Sequence, residues 1–447
     1  MSATPRVAVI GAGACGIAVA KALLDAGVPF QCFEKGDRVG GNWVFRNKNG
    51  LSSAYRSLHI NTSRERMQFR DFPMPRDYPD YPRHELIARY FESYAQAFGL
   101  HSHIRFETSV ERAVPRPQGG FRLSLSGAET AEFDALIVAN GHHWDPAWPE
   151  PRVPGEFSGI ELHSHSYIDP DEPHALRGKR VLVVGMGNSA MDIACELGHP
   201  GVAEQVFLSA RRGAWVLPKY AFGKPIDQTS LLPAFLPAGV RRALAELWYR
   251  LAVGQPEDFG LPKPEHHIDQ AHPTMSSELL TRLGSGDVRA KPGLVRCEGR
   301  VVHFSDGTEE QVDAIIYATG YRVKFPFFPP GVVPLEGNDL PLYLRIFPLD
   351  REDLYFVGLA QPVGAVMPLA EAQAKLIAEK LSGQYDLPQA DERKQRTARE
   401  RAAMFARYVP SPRHTMQLDF DEYMTQLAQE AAAGRKRAQR RAARGGA

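Results

Sequence analysis

RVAVIGAGACGIAVAKALLDAG, residues 6–27, decides the reading of this chain. The run RVAVI (6–10) is short and apolar, as a strand leading into a turn should be. Gly11, Gly13 and Gly16 then stand in G-x-G-x-x-G spacing ahead of a helical pattern that stops at Gly27. Glycines so placed permit a tight turn and let a pyrophosphate approach backbone N–H groups at a helix N-terminus. A second apolar strand, FQCFEK (30–35), follows and ends in Glu34, where a carboxylate can accept hydrogen bonds from both hydroxyls of an adenosine ribose. The glycines alone are a weak signal. Strand, glycines, helix, strand and acid in that order are a strong one.

The pattern returns at KRVLVVGMGNSAMDIACEL (179–197), where Gly185, Gly187 and Ala190 give G-x-G-x-x-A spacing. Its second strand, QVFLS (205–209), ends without an acid, in SARRG with Arg211 and Arg212. A carboxylate there would repel a 2′-phosphate, whereas arginine binds one, so this second site is expected to prefer NADPH to NADH. The plainer alternative is two arginines on a solvated turn. A further echo aligns FDALIVANG (133–141) with VDAIIYATG (312–320), each a buried strand ending in glycine. Thr319 and Gly320 in the second copy are therefore candidate cofactor contacts.

The expected fold is α/β, with two Rossmann-like dinucleotide-binding domains, the NADPH domain inserted into the FAD domain. Residues 1–155 form the first part of the FAD domain and 156–322 the NADPH domain, with a helical insertion at about 225–275. Residues 323–430 return to the FAD domain, and 431–447 form a basic, disordered tail. Pro-rich stretches around 146–154 and 325–330 are natural connectors. A carboxylate for ribose in one lobe and arginines for phosphate in the other imply a flavin and a reductant, with chemistry between them.

Composition removes several alternatives. The 447 residues are 43% hydrophobic and 23% charged with formal net charge +1, which gives no field for nucleic acid. No apolar run is long enough to span a bilayer, and no signal peptide opens the chain. Cys15, Cys32, Cys195 and Cys297 are scattered, as expected of reduced thiols in a cytoplasmic protein, and offer no CxxC pair for a disulfide reductase. The segment 232–253 is amphipathic, with Leu244, Leu247, Trp248 and Leu251 at helical spacing from Val240. Ordinary packing on the inserted lobe is its expected role, and a lid or a lipid-facing surface the sharper alternative.

Several stretches together resemble the flavin-containing monooxygenases, within the class B flavoprotein monooxygenases. EKGDRVGGNW (34–43) is similar to the family's Glu-Lys then Gly-Gly-x-Trp segment. FSGIELHSHSY (157–167) fits the family fingerprint through Phe157, Gly159, His163 and Tyr167. Type I Baeyer–Villiger enzymes carry Trp where Tyr167 stands, which disfavours that branch. GMGNSAMDIA, LSARRGAWVL, YATGY, GLAQPVGAVMPLAE and PSPRHTMQLDFDEY extend the resemblance from about residue 5 to about residue 425. Many pieces are close to the animal drug-metabolising members. Those end in a hydrophobic anchor, whereas this chain ends in GRKRAQRRAARGGA, so a soluble bacterial-type enzyme is expected.

The resemblance implies FAD and NADPH as cofactors and molecular oxygen as co-substrate. Reduced flavin would capture O₂ as a C4a-hydroperoxide, which a small amine or sulfide then attacks. Baeyer–Villiger oxidation of ketones, an NADPH oxidase releasing H₂O₂ and a non-enzymatic nucleotide sensor remain as alternatives. A homodimer is open. Asn61, in LHINTSRERMQFRDFPMP (58–75), is the catalytic candidate, because an amide offers both a donor and an acceptor beside flavin and nicotinamide. By family position His59, Ile60 and Thr62 flank it as cofactor contacts, and Ala14, Cys15, Lys35, Gly41, Asn42 and Trp43 join the FAD set. Asn188 and Ser189 are expected on the NADP pyrophosphate, and Gln373 near the flavin. His142, His143, His163 and His165 invite a metal reading, but HxH and HH spacings alone are weak signals. No metal is expected, and His163 is read as a hydrogen-bonding residue linking the lobes.

Overall fold

The computed structural model describes residues 4–229, 236–271, 274–409 and 414–445. Two compact units divide the chain. The first holds residues 1–52, 64–142 and 323–447, and the second residues 53–63 and 143–322. The second is thus an insertion into the first in chain order, and both are Rossmann-like α/β domains.

The first unit is built on a five-stranded parallel sheet in the order Leu354–Phe356, Ala135–Val138, Val7–Ile10, Phe30–Phe33 and Ile104–Arg105. Val7 lies between Phe30 and Ala135, so the first strand is central. All four of its residues are buried, as a parallel strand covered on both faces requires. Helix Ala14–Asp25 packs against helix Val366–Leu381. An antiparallel sheet of Val110–Pro115, Phe121–Leu125 and Thr130–Phe133 shares a core with the main sheet through Phe33, Phe121, Leu123, Phe133 and Leu136.

The second unit repeats the plan. Its parallel sheet runs Val288–Lys291, Gln205–Ser209, Arg180–Val184, Ala314–Tyr317 and Ile160–His163. A four-stranded sheet made by residues 309–311, 301–304, 294–299 and 155–157 lies beside it in the same unit. The two aligned sequence echoes, Ala135–Val138 and Ala314–Tyr317, each pair directly with the strand that leads into their unit's glycine turn.

Two segments differ from expectation. The basic end is no frayed tail: helix Phe420–Gly445 runs through it. Acids of the first unit absorb its charge. Arg435 makes two hydrogen bonds to Glu379 at 2.9 and 2.6 Å, Arg437 pairs with Glu430, and Arg441 meets Asp386 at 2.7 Å. In the insertion, helix Ala238–Ala252 leaves Val240, Leu244, Leu247 and Leu251 exposed and is held by wholly buried Tyr249, edge-on to Trp215. Of the stripe, Trp248 is half-buried beside Phe222. Residues 230–235 and 272–273 of that insertion lie outside the described residues. Among the described residues no helix is long and apolar enough to cross a membrane.

Candidate functional site

In the first unit the glycine turn is forced by contact. Gly11 sits at φ +98°, and a Cβ there would lie 2.7 Å from the Ala139 carbonyl oxygen. At Gly16 a Cβ would lie 1.8 Å from the Gly11 oxygen, so the helix can approach the turn only without a side chain. Gly13 is the N-cap of helix Ala14–Asp25, and no side chain caps it. The first-turn N–H groups are thus left for an anion. The nearest neighbour of a Gly13 Cβ would be the backbone of Gly41, which opens the short helical turn Gly41–Trp43 carrying Asn42 and Trp43. Asn47, which sequence reasoning missed, fixes that turn by donating Nδ2–H to the Gly41 carbonyl at 3.0 Å.

Glu34 is buried. Oε2 accepts from the Ala12 N–H and Oε1 from the Gly36 N–H, both at 2.7 Å. The carboxylate is held rigidly beside the glycine turn, and each oxygen retains a lone pair. Lys35 is exposed. Burial pushes the Cys15 thiol up to about 12, and its sulfur packs against Gly358, so it stays protonated. Gln373 is fixed within the first unit. It is wholly buried, Oε1 accepts from the Gly358 N–H at 2.9 Å and Nε2 donates to the Tyr423 hydroxyl at 2.7 Å. Both amide ends are thus engaged, and Oε1 ties down the Gly358 turn.

The second unit presents a matching cradle. A Cβ at Gly185, φ +136°, would lie 2.5 Å from the Ala318 oxygen. Gly187 caps helix Asn188–Leu197 without a side-chain hydrogen bond, and Ala190 is fully buried where the third glycine would stand. Asn188 Oδ1 already accepts from the Met275 N–H at 2.9 Å, which leaves its amide nitrogen and Ser189 for a ligand. Arg211 and Arg212 follow the second strand, both exposed, with no ion pair among the described residues. Thr319 and Gly320 hold the Ala147 peptide: Oγ1 donates to its carbonyl at 2.5 Å, and the Gly320 oxygen accepts from its N–H at 2.9 Å.

Residues 53–63 fold onto this second unit, not the first. The Tyr55 hydroxyl donates to Asp192 at 2.6 Å, Arg56 to Asp169 at 2.7 Å, and the Ser63 N–H to Asp227 at 2.6 Å. His59 touches Lys219 through Nε2, and Ile60 is buried. Between these anchors, Asn61 Oδ1 is buried and has no hydrogen-bond partner among the described residues. A buried acceptor without a partner is costly unless something supplies the donor.

The fingerprint residues have local reasons. A Cβ at Gly159 would strike the Asp313 oxygen and the Phe157 ring, both at 2.5 Å. Tyr167 is fully buried and donates to Glu196 at 2.8 Å. His163 Nδ1 accepts from the His165 N–H at 3.1 Å. Burial pushes His163 down to about 4, with His165 adding to the fall and the backbone of Gly320 and Ala147 opposing it. Burial also takes His142 to about 4 and lowers His165. His142 belongs to the first unit and the other three histidines to the second. Among the described residues no group of three or more His, Cys, Asp or Glu is placed to hold a metal ion.

Residues 4–436 match the family described as flavin-binding monooxygenase-like. The chain belongs to that family. It is 38% identical to flavin-containing monooxygenase 5 of Oryctolagus cuniculus and 36% identical to that of Homo sapiens, covering 95% of this chain and 82% of each relative. Dimethylaniline monooxygenase [N-oxide-forming] 2 of Macaca mulatta is 34% identical over the same shares. Among solved structures, S-allyl-L-cysteine S-oxygenase from Allium sativum superposes with TM-score 0.71 at 26% identity, covering 96% of this chain and 89% of that one. Cyclohexanone monooxygenase reaches TM-score 0.71 at 18% identity, covering 96% and 98%, which speaks for the fold alone. This flavin-containing monooxygenase is thus an FAD-binding, NADPH-dependent oxidoreductase. Its residues fit both cofactors: two helix N-termini without side-chain caps behind glycine turns, a fixed carboxylate in one unit and, in the other, exposed arginines with no ion pair among the described residues.

Proposed function

We propose that this flavin-containing monooxygenase transfers one oxygen atom of O₂ to small soft nucleophiles, forming N-oxides of amines and S-oxides of sulfides. FAD, reduced by NADPH, supplies the oxygen-activating chemistry when bound. The chain's own residues bind, orient and exclude water. The first-turn N–H groups behind Gly13 meet the FAD pyrophosphate, and Glu34 takes its ribose hydroxyls. Those behind Gly187, with Ser189 and the free amide nitrogen of Asn188, meet the NADP pyrophosphate, while Arg211 and Arg212 take the 2′-phosphate.

The observation that carries the reading is Asn61, whose buried Oδ1 has no hydrogen-bond partner among the described residues. An amide there accepts a hydrogen bond from a bound carboxamide or flavin N–H, and its own N–H₂ donates. Neither group is acidic enough to deliver a proton that would release oxygen as H₂O₂. The oxygenase relatives named for an N-oxide product and for S-oxygenation support soft nitrogen and sulfur as acceptors.

The test is NADPH-dependent turnover with trimethylamine, methimazole and cyclohexanone offered in parallel, with products identified by mass. Amine and sulfide oxides in step with NADPH consumption are expected. Lactone from the ketone with neither oxide would overturn the reading in favour of Baeyer–Villiger chemistry. NADPH consumption yielding only H₂O₂ would make the protein an oxidase.

A further inference from the structure

Lys219 is a lysine the reaction does not call for, drawn into a half-buried cluster of the second unit. Its Nζ meets His59 Nε2, while His59 Nδ1 lies 3.1 Å from the Ser57 carbonyl oxygen. A carbonyl only accepts, so Nδ1 carries the proton and Nε2 presents its lone pair to the Lys219 ammonium. One tautomer alone satisfies both contacts. Behind Lys219 stands Asp192, which attracts it electrostatically and accepts the Tyr55 hydroxyl at 2.6 Å. Asp192 belongs to helix Asn188–Leu197, whose uncapped N-terminus forms the dinucleotide cradle.

Asn61 lies midway between two ties of its own segment. One is His59 to Lys219. The other is Ser63, whose N–H donates to Asp227 at 2.6 Å and whose hydroxyl accepts from Gln228 at 2.9 Å. Its Oδ1 has no hydrogen-bond partner among the described residues, so the ties on either side bear on the direction of the amide.

We propose that Lys219 is a positioning residue for the Asn61 loop: by fixing His59 as its Nδ1–H tautomer, with Asp192 and Tyr55 as its support, it holds the Asn61 amide in the orientation that limits loss of oxygen as H₂O₂. The proposal rests on the reading of Asn61 given above.

Burial lowers Lys219 from the ordinary lysine value, and Asp192 and Cys195 oppose that fall. Facing groups also bear on the support: burial raises Asp192 and Glu196, Glu278 adds to the rise of Asp192, and Glu196 accepts from Tyr167 and Ser57. The ammonium therefore neutralises at lower pH than an exposed lysine would, and the tie to His59 loses its charge as pH rises.

The experiment compares Lys219→Met, Lys219→Gln and Lys219→Arg with the wild type in two readouts. The first is the ring ¹⁵N spectrum of His59 in the FAD-loaded protein, assigned by loss of its signals in His59→Gln. The second is H₂O₂ formed per NADPH oxidised, with trimethylamine as substrate. Met and Gln are expected to shift His59 away from the pure Nδ1–H form and to raise the H₂O₂ ratio roughly three- to tenfold, in line with loss of one charge-assisted hydrogen bond. Arg, which keeps its charge, is expected to restore much of the coupling. It should also remove the rise in H₂O₂ that the wild type shows as pH increases, because the guanidinium stays charged. An unchanged His59 spectrum in Lys219→Met and Lys219→Gln overturns the proposal. So does an unchanged H₂O₂ ratio in those variants when Asn61→Ala raises it. If Asn61→Ala itself leaves the ratio unchanged, the reading of Asn61 fails, and the claim on coupling falls with it.

Discussion

Arg211 and Arg212 follow the end of a strand, exposed and with no ion pair among the described residues, in the unit whose helix Asn188–Leu197 has no side-chain cap. If they hold the 2′-phosphate, replacing both with alanine lowers the kcat/KM preference for NADPH over NADH roughly 10- to 100-fold, as expected from loss of charge-assisted hydrogen bonds. The effect should fall on the KM for NADPH and leave kcat with NADH intact, and an unchanged preference would return them to solvated turn residues. His163 allows a prediction in pH. Its folded value is depressed to about 4 from 6.5, so between those values the unfolded chain binds a proton that the native state refuses. Stability is full above about pH 6.5 and falls as pH drops towards 4, by on the order of 3 kcal/mol from this one buried group. Denaturant unfolding of wild type and His163→Asn should show a stability gap that narrows over that window, and a gap constant with pH would contradict it. Gln373 shows where residue-level reading stopped. Its partners, Gly358 and Tyr423, lie 15 and 50 residues away along the chain, and nothing in PLAEAQ announces either.

At the scale of elements, the glycine turns were legible because their cause is local: backbone atoms within one βαβ unit leave no room for a side chain. The C-terminal helix was not legible, because what orders it is remote. Its arginines meet Glu379 and Asp386, which no pattern within residues 431–447 could reveal. Gly434 offers a test in which two principles disagree in sign. Alanine is the better helix former by about 1 kcal/mol. A Cβ at this position, however, would lie 2.0 Å from the ring of Tyr385, itself wholly buried. Overpacking costs about 1–3 kcal/mol, so Gly434→Ala is expected to lower the denaturation midpoint despite the propensity gain. A raised midpoint would mean that the helix does not pack on Tyr385. The helix Ala238–Ala252 taught the converse lesson. Its apolar periodicity was plain, but Tyr249, outside the stripe, is the residue that anchors it.

For the whole molecule, the repeated strand–glycine–helix signature and the paired echoes at 133–141 and 312–320 made the two α/β units legible from sequence. The insertion was legible because the second echo returns well after the second glycine motif. The allegiance of residues 53–63 did not follow. They precede the second unit's own glycine motif by more than a hundred residues, yet Tyr55, Arg56 and Ser63 tie them to it. That placement puts Asn61 in the unit whose arginines are suited to NADPH. It also makes its orphaned carbonyl oxygen the centre of the account.

The most direct test of oxygen transfer to soft nucleophiles is turnover of the FAD-loaded protein with NADPH under ¹⁸O₂, using trimethylamine as acceptor and counting product, label and H₂O₂ together. The account predicts trimethylamine N-oxide carrying one ¹⁸O, formed nearly one for one with NADPH. Unlabelled product, or NADPH oxidation matched by H₂O₂ alone with amine, sulfide and ketone alike, would contradict it.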